Sequence, residues 1–193
     1  MAAAAYDRAV LGSANGPDLE GLRAAFASRG AGPLAGWDGV GAFEQAAGVV
    51  LPEPYRSFAA LIGDGCLAGP PHYGLVPLRQ GGCHGWHGGP GLARLARPFP
   101  LTSAWIWEDG EPPPDPGITR DQVWDGALLL GHDGCGAYWT LVVTGTHRGH
   151  IWNVTDVGAQ PFGRSFGYTT AADGFAGWAA HWAAGKDWYD ASH

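Results

Sequence analysis

The chain has little positive charge. Lys and Arg together number 11 in 193 residues, against 18 Asp and Glu, for a formal net charge of −7. Nucleic acids and anionic membranes select basic surfaces, so neither is expected as a partner, and a basic protein fits better. Cysteine is also scarce. Cys66, Cys83 and Cys135 are odd in number and widely spaced, which fits reduced thiols in a cytoplasm better than a disulfide framework. No run approaches the roughly 18 apolar residues of a transmembrane helix. The opening MAAAAYDRAV has no positive leader and meets Asp7 and Arg8 before an apolar stretch of export-signal length forms. We therefore expect a cytoplasmic protein.

Gly, at 33 residues, and Pro, at 15, make the chain turn-rich, while 46% hydrophobic content and 10 Trp supply the apolar surface that folding needs. The length suits one domain. Residues 1–16 are Ala- and Gly-rich without amphipathic spacing and read as a frayed terminus, leaving residues 17–193 as the domain.

The segment Gly126 to Asp156 organises the rest. Ala127 to Leu130 is a short apolar run, Tyr138 to Val143 is aromatic and β-branched, and Ile151 to Thr155 repeats that composition. Together they predict a three-strand antiparallel meander. Asp133, Gly134 and Gly136 are the structural residues of its first turn, within His132 to Gly136, and Gly145 to Gly149 makes the second. A continuous apolar strand needs cover on both faces, which predicts flanking helices and an α+β fold around a central, mostly antiparallel sheet.

Those helices are legible from spacing. Leu19, Leu22 and Phe26 share one helical face; Val40, Phe43 and Ala47 share another after Trp37, with Gly48 as the stop. Pro52 to Ile62 carries start and stop signals at both ends, with Tyr55, Phe58, Ala59 and Ile62 on one face. Asp173 opens a last helix with Phe175, Trp178 and Trp182 on one side and Gly185 as its stop. Tyr73 to Leu78 and Phe99 to Trp107 read as strands, the former at an edge because of Pro77.

The order of these features, from Trp37 through Leu51-Pro52-x-x-Tyr55 with Phe58, Pro98-Phe99-x-Leu101 with Trp105, Gly126 to Gly136, Leu141 to Gly149 and Trp152 to Phe175-x-x-Trp178, resembles the SUKH superfamily, also called the SMI/KNR family. The resemblance covers roughly residues 37–183. It implies an α+β domain with a central sheet and a function in protein binding. Many bacterial members are immunity proteins that neutralise polymorphic toxins, often nucleases, and fungal relatives regulate cell-wall assembly. It supplies no catalytic residues.

The residues themselves offer three kinds of site. A metal centre could combine Cys83, His84 and His87 with His132 and Cys135, since thiolate and imidazole suit zinc, but paired ligands at Cys-x-x-Cys spacing are missing. Ser165 in Gly163-Arg164-Ser165-Phe166-Gly167 copies a hydrolase elbow without the strand before it or the helix after it. The acidic, Pro-rich loop after Trp107, carrying Glu108, Asp109, Glu111 and Asp115, is exposed to a partner, and Trp107 and Trp86 are expected near the surface while most other Trp lie in the core. The plainer reading of that loop is a solvated segment that keeps the domain soluble. We expect a non-catalytic immunity protein that binds a basic toxin domain without metal or cofactor. The alternatives are a regulatory or scaffold protein of the same family and a metal-dependent enzyme using the Cys/His cluster.

Overall fold

A computed structural model describes residues 17–81, 91–163 and 172–188. The expected frayed terminus 1–16, the cluster residues Cys83, His84 and His87, Trp86 and Ser165 lie outside the described residues. Helices α1 (Pro17–Phe26), α2 (Gly36–Ala47), α3 (Tyr55–Leu61), the single turn α4 (Leu78–Gly81) and α5 (Phe175–Ala183) accompany strands β1 (Trp105–Ile106), β2 (Ala127–Gly134), β3 (Ala137–Val142), β4 (Ile151–Val154) and β5 (Gly158–Pro161). The fold is α+β. Its sheet has five strands in the order β1-β5-β4-β3-β2, and all pairs are antiparallel.

Strand alternation sends the meander's side chains to two cores. Leu128, Leu130, Trp139, Leu141 and Ile151 face one side and meet Leu19, Leu22 and Phe26 of α1, Val40 of α2, Phe58 of α3 and Trp178 of α5. Ala127, Val142, Trp152, Val154 and Ala159 face the other, which is covered by Phe99, Leu101, Trp105, Trp107 and Val123, the last on a short 3-10 helix (Arg120–Trp124). Both faces are covered, as the apolar strands require, but the α-helices of the described residues lie on one face. One face takes the α-helices and the other takes an aromatic-rich strap that includes β1 and the short 3-10 helix.

Most elements form where the spacing places them. Helix α2 ends at Gly48, which adopts φ 68°, ψ 30°, a left-handed conformation that glycine enters without steric penalty. The helix read over residues 52–62 is shorter, beginning at Tyr55, and the Glu53 carboxylate accepts the Ser57 backbone N–H at 3.1 Å. Ile62 is its C-cap and only half-buried, so the buried face is Tyr55, Phe58 and Ala59.

Three expectations are corrected. Tyr73 to Leu78 is not a strand: Leu75 makes a lone bridge to Cys66, Gly74 stands at φ 100°, and Pro77 has no N–H to donate. Of Phe99 to Trp107 only Trp105 and Ile106 pair, because Phe99 N donates to Thr144 O instead and Pro100 cannot donate at all. The first meander turn sits later than expected. Strand β2 runs on to Gly134, which pairs with Ala137, and the tight turn is Cys135-Gly136, both at positive φ, 46° and 75°.

Candidate partner interface

The acidic loop leaves the sheet at its edge. Strand β1 pairs Trp105 with Ala159 and Ile106 with Gly158, and one further backbone bond runs from Glu108 N to Val157 O at 3.1 Å. The chain then turns through Gly110, at φ 76°, into the proline run. Two buried indoles tie it down. Trp105 Nε1 donates to the Glu111 carbonyl at 2.9 Å, and Trp107 Nε1 donates to the Asp156 carbonyl at 2.5 Å. Arg120 adds a third tether, donating to the Trp107 carbonyl at 3.2 Å with its guanidinium 5.7 Å from the centroid of the Trp107 ring. Thr102 Oγ1 donates to Asp115 Oδ2 at 3.4 Å near the far end.

Trp107 is therefore corrected from surface to core. It is 6% exposed and packs edge-on against Trp105 at 5.2 Å, so it holds the loop rather than presenting an indole. Glu108, Asp109, Glu111 and Asp115 are all exposed, and among the described residues none is in an ion pair. The arrangement is a ridge of carboxylates on a tethered loop. Chemically it offers acceptors and negative potential.

The turn residues do more than turn. Asp133 Oδ1 accepts the His72 backbone N–H at 2.8 Å and Oδ2 accepts Trp139 Nε1 at 2.6 Å, so this carboxylate joins the 72–75 segment to the sheet. His132 stacks on Tyr73 at 5.0 Å, its Nδ1 accepting from Gly134 N at 3.3 Å, while Cys135 is exposed at the tip. Among the described residues no three His, Cys, Asp or Glu side chains converge on a place for a metal ion. No helix of the described residues is long and apolar enough to cross a membrane.

Sequence reasoning missed a concavity of about 560 Å³ between α2, the Pro33–Ala35 segment, α4 and Leu92. Its apolar wall was read only as a helix with a core face. The available signal was the run of small residues Gly39, Ala42 and Ala46 one position off that face.

No protein-family model matches the chain, and no curated protein or solved structure matches it either.

Proposed function

We propose that this protein is a cytoplasmic, non-catalytic binding domain of the immunity-protein kind, which neutralises a basic toxin domain by docking it on the acidic loop. The observation that carries the proposal is the set of exposed carboxylates Glu108, Asp109, Glu111 and Asp115, in no ion pair among the described residues, on a loop held by Trp105, Trp107 and Arg120. A prolyl loop with three tethers loses little entropy on docking, and concentrated like charge accelerates encounter with a basic surface. The net charge of −7 acts in the same direction. The α+β fold with a central antiparallel sheet is compatible with the SUKH resemblance.

Capture from the native cytoplasm with wild-type protein and with Glu108→Lys/Asp109→Lys/Glu111→Lys, followed by co-expression of each captured basic protein, tests this. The expected result is a toxic basic partner that wild type retains and neutralises. The reversed variant associates with it more slowly. The wild-type on-rate falls with salt, because exposed charges are screened over about 8 Å at physiological ionic strength. Retention of the same partners at equal on-rates by both proteins, without a salt slope, overturns the loop's role. Captured partners that are neither basic nor toxic overturn the immunity reading.

A further inference from the structure

The concavity beside α2 has a floor, a wall and two charges. Phe43 and Leu78 are buried beneath it, half-buried Leu92 closes one end, and the exposed small residues Gly39, Ala42 and Ala46 keep the helix side low. Leu34, 57% exposed, overhangs the other side. A volume of about 560 Å³ lies within the range of small-molecule sites, roughly 300 to 1,000 Å³. It is too polar at the lip for a purely apolar guest.

Asp64 and Arg79 form that lip. Asp64 Oδ1 accepts the Leu78 N–H at 2.5 Å, and the carboxylate makes no other hydrogen bond among the described residues, while the Asp64 backbone N–H donates to the Pro33 carbonyl at 3.1 Å. Burial pushes its carboxyl up, with the Leu78 N–H and the Arg79 charge pulling the other way. Arg79 is exposed and its side chain makes neither a hydrogen bond nor an ion pair among the described residues, so it is not paired with Asp64. The Leu78 N–H needs one acceptor, which an asparagine would supply equally. A partly desolvated carboxylate is more than that local structure requires.

Each guest chemistry can be weighed against these two charges. A neutral hydrocarbon would desolvate Asp64 further without compensation. A fatty acid would pair with Arg79 and leave Asp64 uncompensated, and an amine would pair with Asp64 and leave Arg79 uncompensated. A guest with both charges satisfies both ends: its ammonium reaches the free side of Asp64, and its carboxylate takes the forked donors of Arg79. Its tail then lies over Phe43, Leu78 and Leu92. We propose that this groove binds a small zwitterion with an apolar side chain, of the class of aliphatic or aromatic α-amino acids. The site is separate from the acidic loop and does not depend on the function proposed for that loop.

Calorimetric titration of the full chain with L-leucine and L-phenylalanine, alongside leucinamide, 4-methylpentanoate and glycine, tests the assignment. Saturable binding of leucine or phenylalanine is expected, weakened about tenfold or more when either charge or the tail is missing, which corresponds to one lost charge-assisted contact or buried side chain. Arg79→Gln, at an exposed position, should weaken the amino acid about tenfold and leave leucinamide unchanged. Ala42→Trp should fill the groove and abolish binding; Gly39→Leu serves the same purpose if Ala42→Trp lowers the melting temperature. Absence of saturable binding to folded wild type up to about 10 mM, equal binding of all five compounds, or undiminished binding by Arg79→Gln and a groove-filling variant overturns the proposal.

Discussion

The ring of Phe58 lies 4.7 Å from that of Phe26 and 5.0 Å from that of Phe175, so one side chain of α3 joins α1 to α5 over the sheet. Phe58 is 1% exposed, and Tyr55, one turn earlier, packs on the rings of Phe58 and Phe175. Truncation here removes an aromatic shared by three helices, and rigid neighbours cannot collapse into the space. Phe58→Ala should destabilise by about 3 to 5 kcal/mol in chemical denaturation. A loss below about 1 kcal/mol, the scale of a surface change, would mean that this face does not carry the core.

On the opposite face, Arg94 links two short 3-10 helices, Leu92–Arg94 and Arg120–Trp124, beside the Trp strap. Its Nε meets Asp125 Oδ1 at 2.5 Å and its guanidinium also meets Asp121 at 3.1 Å. Burial works against the charged guanidinium, but the bonds and charges of Asp125 and Asp121 outweigh it and raise its pKa. Removing Arg94 strands Asp125, whose side chain is 9% exposed, with only the more distant Arg97 at 3.8 Å. Arg94→Met should destabilise by about 3 kcal/mol, and adding Asp125→Asn should recover a large part of that loss. Purely additive losses in this cycle would show that the pair is not coupled.

What the sequence reveals about this fold depends on whether a residue's role is local. Gly48 ends α2 because of its own backbone conformation, and Leu19, Leu22 and Phe26 declare a face by spacing alone. Asp133 looks local, as part of an Asp-Gly turn, yet its carboxylate binds His72 and Trp139, which draws it into β2 and moves the turn to Cys135-Gly136. Trp107 misleads for a similar reason: it adjoins four acidic residues in the chain but finds its partner at Asp156, on the β4–β5 connection. The acidic loop was legible because charge and proline density need no long-range partner. The groove was not, because Leu34, Phe43, Asp64, Arg79 and Leu92 come from separate segments that only tertiary packing assembles.

The small residues of α2 also predict a gain. Gly41 is exposed in mid-helix, and a Cβ there would meet nothing within 4 Å. Its backbone freedom in the unfolded chain opposes folding without serving contact or conformation. Gly41→Ala should therefore stabilise by about 0.5 to 1 kcal/mol, seen as a higher denaturation midpoint at unchanged slope. A neutral or destabilising result would show that this surface of α2 is constrained by something beyond helix geometry.

His181 sets the expected response to acid. The ring is buried, stacks on Trp188 at 5.2 Å, and its Nε2 lies 2.6 Å from the Asp187 carbonyl. A carbonyl only accepts, so Nε2 carries the proton in the neutral ring. Burial lowers the His181 pKa, Lys186 adds to this, and the Asp187 carbonyl and carboxylate oppose it without winning. The unfolded chain, with its His near pKa 6.5, then binds more protons than the folded one between the two values. This contribution is fully present above about pH 6.5 and is lost as pH falls below it. Asp64 has the opposite sign, since its raised pKa makes the folded state hold a proton longer, so stability falls as pH rises from the ordinary carboxylate range. Denaturant midpoints from pH 4 to 8 for wild type, His181→Gln and Asp64→Asn separate the two. His181→Gln should flatten the loss of stability below about pH 6.5, and Asp64→Asn should narrow its deficit or widen its advantage as pH rises. An unchanged acid limb in His181→Gln would mean that the ring is already protonated in the folded state or that its burial does not persist in solution.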